Sequence, residues 1–394
     1  MKQLIAFVLI VVVCGINARA DDQGSAPSTF SNGGVLNDPS FFPVAIWLQS
    51  PANAARYHDA GINLYVGLWK GPTEEQLADL KRHGMHVICS QNAVGLKHKD
   101  DPTIVAWMHG DEPDNAQSLP GGKGYGPPIL PARIVEDYQR IRTADQTRPV
   151  LLNLGQGVAW DNYIGRGVRR NHPEDYAEYV QGCDIVSFDI YPACHDDPAV
   201  AGKLWFVADG VSRLRKWSND RKRVWNCIEC THIDNPKAVA TPQQVKAEVW
   251  MSIIRGSRGL IYFVHQFKPR FIEAGLFDDP QMLAAVKRIN LRIQSLAQIL
   301  NSADPVDGVT IASSVSETPI EAMVKRKGDV TYVFAVGMRS GETKAQFLIP
   351  GLPQNSKAEV LDEDRSLDVK SGAFEDQFEH WGVHLYRITP TSDK

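Results

Sequence analysis

Surplus positive charge is missing from this chain. Its 42 lysines and arginines are outnumbered by 46 aspartates and glutamates, giving a formal net charge of −4 at pH 7. The broad basic footprint of a nucleic-acid-binding protein is therefore absent. One basic stretch, GRGVRRNH (Gly165 to His172), reads as a solvated loop. Past the first twenty residues there is no apolar run long enough to cross a bilayer. No GxGxxG follows the first predicted strand, and neither HxH nor HExxH spacing occurs. The signatures of a dinucleotide fold and of a zinc hydrolase are thus both lacking. Cysteine is scarce: of six, Cys14 falls in the leader described next and five remain. An odd number leaves at least one thiol free or shared, and no pairing can be read from spacing. CIEC (Cys227 to Cys230) lies in an apolar strand-like run, not at a helix start, and has no second pair. It supports neither a redox role nor a zinc site.

What is present begins with a leader. Lys2, the run LIAFVLIVVV and the small residues Ala18 and Ala20 have the form of a secretory signal over residues 1–20. The mature protein is expected to be secreted or periplasmic, without stable membrane insertion. Residues 21–36, polar and rich in Gly and Ser, are expected to be a disordered linker. Short apolar runs then alternate with helical segments: FPVAIWL, INLYVGL, HVICSQ, TIVAWMHG, PVLLNLG, DIVSFDIYP, RVWNCIE and GLIYFV. Thr73 with Gln76 predicts a capped helix start ahead of LADLKRHG, and Thr241 with Pro242 predicts another. Eight such units over residues 37–302 predict a (β/α)8 barrel. From residue 303 to 394 the pattern changes to short runs split by Gly, Asp and Ser, which predicts an antiparallel β-sandwich.

In such barrels the chemistry sits at the C-terminal ends of the strands. The residues there are Trp47, Trp69, Gln91, Asn92, His109, Asp111, Glu112, Asn153, Asp189, Tyr191, Glu229, His232, Phe263 and His265. Two glutamates stand out, Glu112 after strand four and Glu229 at the end of strand seven. Two carboxyl groups facing across a cleft are what acetal hydrolysis needs, one protonated to release the leaving oxygen and one ionised. Aromatic faces suit sugar rings, and amides and imidazoles suit hydroxyls. No metal or cofactor is called for, and the oligomeric state cannot be read.

WMHGDEP with Glu112 and VWNCIE with Glu229 resemble the acid/base and nucleophile strands of retaining glycoside hydrolases of the clan A superfamily. The resemblance covers the barrel, and the sandwich is similar to accessory domains of such enzymes. It implies a secreted enzyme cleaving a polysaccharide or oligosaccharide by double displacement. Glu112 would be the acid/base, Glu229 the nucleophile, and Tyr191 the residue that hydrogen-bonds the nucleophile. The chain departs from the pattern at Asp111, where an asparagine is usual, and at Phe263, near the place of a tryptophan. Three other readings stay open. One is a catalytically inactive glycan-binding barrel. Another is a metal-dependent hydrolase with His109, Asp111, Asp189 and His232 as ligands. The third is a glycosidase of another clan with Asp111 or Asp189 as nucleophile. Arg166, Arg169 and Arg170 would matter only if the glycan were anionic.

Overall fold

The computed structural model describes residues 30, 34–305 and 308–391. The expected leader, and the expected linker up to residue 33 apart from Phe30, lie outside the described residues. Nine parallel segments make the barrel: β1 (Val44–Trp47), β2 (Leu64–Val66), β3 (His86–Cys89), β4 (Ile104–Met108), β5 (Val150–Leu154), β6 (Ile185–Phe188), β7 (Arg223–Val224), β8 (Asn226–Glu229) and β9 (Leu260–Phe263). Their order is β7-β6-β5-β4-β3-β2-β1-β9-β8. β7 and β8 are halves of one stave broken at Trp225. The Trp225 N–H still donates to Val186 O at 2.9 Å, so β6 meets that stave and the ring closes. This is the eight-stave barrel that the sequence rhythm predicts.

Alternation along each stave makes two cores. Ala45, Leu64, Val66, Ile88, Ala106, Leu151, Ile185, Trp225 and Ile261 fill the barrel interior. Their neighbours face the helices: α1 (Ala54–Asp59), α2 (Glu74–Arg82), α3 (Ala93–Lys97), α4 (Pro131–Ala144), α5 (Asp175–Tyr179), α6 (Phe206–Trp217), α7 (Pro242–Ile254), α8 (Pro280–Ser295) and α9 (Ala297–Leu300). Both predicted caps form. The Thr73 and Thr241 hydroxyls accept from the N–H groups of Gln76 and Gln244, whose side chains accept from the cap N–H in return.

The end of the expected linker is ordered. Gly34–Asn37 form a 3₁₀ turn whose Leu36 is buried with the barrel-interior residues. Arg223, at the start of β7, donates to Leu36 O and to Asn37 Oδ1. A polar composition concealed one apolar side chain that closes the N-terminal end of the barrel.

The C-terminal domain is eight antiparallel strands: β10 (Thr310–Ser313), β11 (Ile320–Lys327), β12 (Val330–Gly337), β13 (Thr343–Leu348), β14 (Asn355–Val360), β15 (Arg365–Lys370), β16 (Ala373–Phe378) and β17 (Val383–Pro390). They run in the order β10-β13-β16-β15-β14-β17-β12-β11. The two edge strands touch, so the sheet folds over its own apolar face of Val333, Phe347, Phe374 and Tyr386. The sandwich is thus one sheet wrapped on itself.

α7 joins the two domains. Its sequence, PQQVKAEVWMSII, is apolar on nearly every side, as befits a helix buried on opposite faces. One face lies on β8; the other meets β11, β12 and β17. Trp250 stacks on Phe334 with ring centroids 5.2 Å apart, and Arg255 pairs with Glu321. Trp250→Ala should lower the unfolding free energy by about 3–5 kcal/mol, the usual cost of emptying a large buried aromatic site. Urea denaturation followed by fluorescence and circular dichroism checks this. A loss under about 1 kcal/mol would show that this face is not what holds the domains together.

Candidate active site

A cavity of about 980 Å³ opens at the C-terminal ends of the staves. Its floor carries Asp111, Glu112, Asn153, Asp189, Tyr191 and Cys227, and its walls carry Trp47, Trp69, Phe263 and His265. The sequence-predicted residues that it brings together are therefore Trp47, Trp69, Asp111, Glu112, Asn153, Asp189, Tyr191, Phe263 and His265.

Three carboxyl groups share this floor. Asp111 Oδ1 accepts from Asn153 Nδ2 at 2.9 Å, and Asn153 Oδ1 accepts from Ser187 Oγ at 2.7 Å. Enclosure by the walls pushes the Asp111 carboxyl up to about 6, against the lowering effect of the Asn153 bond. Burial raises Glu112 well above the usual carboxylate range, and the charge of Asp189 raises it further. Asp189 is raised by burial too, while its hydrogen bond from Glu112 favours its ionised form. The two share one proton, with Glu112 as the protonated partner.

The backbone sets Glu112 in place at some cost. Its φ is +41°, in the left-handed region that a non-glycine residue seldom adopts. Two neighbours over-determine that turn. The Glu112 N–H donates to Asn153 O at 3.2 Å. Asp114, fully buried, accepts from the Gly155 N–H at 2.9 Å and from Tyr176 Oη–H at 2.8 Å. A Cβ on Gly155 would stand 2.9 Å from Glu112 Oε1 and 2.7 Å from the Asn115 amide. The run of charge in GDEPD thus divides: Asp111 and Glu112 face the cavity, and Asp114 anchors the turn behind them.

Glu229 is not on the cavity wall. Its exposure is 0%, and both its oxygens are engaged: the Ala193 N–H donates to Oε1 at 2.6 Å and the Cys194 N–H to Oε2 at 2.9 Å. Glu248, on α7, is equally buried and shares a proton with it. Burial raises both carboxyls, but the N–H bonds and the Cys194 thiol favour Glu229 as the anion. The position expected for a nucleophile instead tethers the loop after β6, just beyond Asp189 and Tyr191.

Four other sequence-predicted residues lie away from the cavity. Gln91 donates to Ile141 O on α4 at 3.0 Å. Asn92 caps α3, accepting from the Gly95 N–H at 2.8 Å. His109 Nε2 lies 2.8 Å from Gly182 O, in the helix-facing layer. His232 is also absent from the lining. With His109 and His232 elsewhere, the four-residue metal set is not assembled. Among the described residues no group of three or more His, Cys, Asp or Glu is arranged to hold a metal ion. The basic loop after β5 is an internal clamp: Arg166 is 1% exposed, and both it and Arg169 pair with Asp175. The five cysteines of the described chain are buried and unpaired, CIEC included.

Several wall residues escaped sequence reading. Phe267 and Phe271 are 48% and 61% exposed at the mouth, and the predicted Trp69 is 69% exposed. His265 lies against Phe263, Phe267 and Phe271 with centroids 5.0–6.1 Å apart. Gln49 fixes its tautomer. Tyr57 Oη–H donates to Gln49 Oε1 at 2.6 Å, which leaves the Gln49 amide to donate to His265 Nε2 at 3.1 Å. Burial lowers the His265 pKa and keeps the ring neutral. Glu75, Asp79 and Glu273 complete the walls. Glu75 and Asp79 sit on α2 and Glu273 in a loop, where strand alternation gives no cue.

Two substitutions test this geometry. Gly155→Ala should displace the Glu112 carboxyl and cost about 1–3 kcal/mol of stability. Unchanged stability would mean that Glu112 and Asn115 have room to spare. Glu248→Gln should flatten the alkaline limb of stability. Glu248 holds its proton more tightly folded than unfolded, so wild-type stability falls as pH rises above the ordinary carboxylate value. The variant lacks that loss, and thermal melts at pH 5 and pH 8 read the difference. An equal decline in both proteins would remove Glu248 as its source.

No family model matches the chain, and no curated protein matches it. Solved structures do resemble it. An Anoxybacillus α-amylase superposes with a TM-score of 0.55 at 9% identity, covering 91% of this chain and 100% of that one. The α-amylase of Geobacillus thermoleovorans, solved with acarbose, gives 0.53 at 12% identity over 90% and 99%. A putative α-galactosidase from Bacteroides fragilis gives 0.52 at 9% over 89% and 79%. At these identities the likeness is one of fold, a barrel followed by a β domain.

Proposed function

We propose that this chain is a glycoside hydrolase acting on an oligosaccharide or polysaccharide, exported by its leader. The observation that carries the reading is the enclosure of three carboxyl groups in one aromatic-rimmed cavity, one of them kept protonated. Glu112 is the general acid that protonates the departing glycosidic oxygen. Asp189 holds that proton in line and stays ionised beside Tyr191. A carboxyl bonded to the acid cannot also stand across the scissile bond, where about 5 Å or more must separate the two. That role falls to Asp111, held by Asn153. It either attacks the anomeric carbon or activates a water. The fold neighbours support this reading, since they are two α-amylases and a putative α-galactosidase.

The test is hydrolysis of a broad glycan panel by the mature protein beside Glu112→Gln, Asp111→Asn and Glu229→Ala. The first two should each lose about 10²–10⁴-fold in kcat. Activity should rise with pH through about 6 as Asp111 ionises and fall again as Glu112 gives up its proton. Product configuration by NMR separates retention, with Asp111 attacking directly, from inversion through water. If Glu229→Ala is inert and azide restores it, Glu229 is the nucleophile and the assignment of Asp111 fails. A wild type that binds glycan without turnover would replace the reading with a binding barrel.

A further inference from the structure

The cavity is one-sided in charge. Six carboxyl-bearing residues line it, Glu75, Asp79, Asp111, Glu112, Asp189 and Glu273, and among the described residues no lysine or arginine does. The three on the floor are raised by burial, and Glu112 and Asp189 share a proton. Glu75 lies in the first turn of α2. Glu273 accepts the Ser50 N–H at 2.7 Å. Asp79 is 2.7 Å from Arg82 through Oδ1 alone, at an exposed position where such a pair is weak. On the same wall stands the open indole of Trp69, tied to α2 by the Gln76 side chain, which donates to Trp69 O at 3.1 Å. One oxygen deeper in, Asp189 Oδ1, is buried with no hydrogen-bond donor.

A negative cavity with an aromatic plane repels uronic and sulfated sugars. It attracts a ring that carries a positive charge, because an indole face and carboxylates together hold an ammonium. We infer that the substrate is a glycan with free amino groups, and that Trp69, Glu75 and Asp79 form the subsite that takes one amino sugar. The inference rests on the proposed glycosidase reading and narrows it to one substrate class. No covalent step is added. The ammonium is an anchor that fixes the chain so that the next glycosidic bond reaches Glu112.

The experiment compares matched oligosaccharides differing only at nitrogen: free amine, N-acetyl, and a uronate of the same length, in gluco and galacto series. Binding is read by calorimetry on Glu112→Gln, and turnover on wild type. The free amines should bind about tenfold tighter than their acetylated forms or better. The advantage should shrink with salt and as pH is raised to discharge the amine. Glu75→Gln with Asp79→Asn should bring the amine-to-acetyl ratio to near one. Equal binding of amine and acetyl forms with turnover of either would overturn the substrate class and leave the glycosidase reading intact. Preferential amine binding with no turnover of any panel member would uphold the subsite and sink the glycosidase reading. Binding of uronates, or of nothing, would overturn the inference.

Discussion

Burying a carboxylate without a partner costs several kcal/mol, and this barrel buries many. The protein meets that cost at two places. On the cavity floor Glu112 and Asp189 share a proton; behind the wall Glu229 and Glu248 do the same. Each pair keeps one net charge where two could not stand. The two pairs flank the loop after β6. Asp189 and Tyr191 stand at its start, and Glu229 grips its backbone at Ala193 and Cys194. The placement of the floor groups therefore depends on an anion that never meets the cavity.

The turn after β4 shows the same economy of roles. Asp114 holds Tyr176 and the Gly155 N–H, and Gly155 in turn offers no side chain, so that Glu112 fits against it. Strain at Glu112 is retained because both ends of the turn are pinned. A sequence that reads as a polar loop is, in place, one reactive pair standing on a buried support.

The barrel was legible because its rhythm is physical. Buried staves must be apolar, and helices must be capped. Thr73 with Gln76 and Thr241 with Pro242 announced their helices at the right residues. Part of the site was legible by the same alternation, and part of the misreading came from not applying it. Trp107 faces the helices and Met108 the interior, so His109 belongs with Trp107. Val87 and Cys89 face outward, and Gln91 shares their parity. Glu229 is different. It follows Trp225 and Cys227, both interior, so parity points it into the cavity. Only two tertiary facts turn it aside, the N–H groups of a distant loop and a carboxyl on α7. Glu248 gave no warning, being one acidic letter in an apolar helix. The wall residues Phe267, Phe271 and Glu273 were hidden in a loop, where no periodicity exists to read.

α7 has a further consequence for the history of the chain. A helix with one lubricated side can lend its domain to many neighbours. This one has none to spare, because the barrel takes one flank and the wrapped sheet takes the other. It also carries Glu248, and through Glu229 it reaches the loop that shapes the floor. The β domain is therefore no detachable cassette. Any lineage that lost or exchanged it would have had to rewrite α7 first, and with α7 the electrostatics of the cavity.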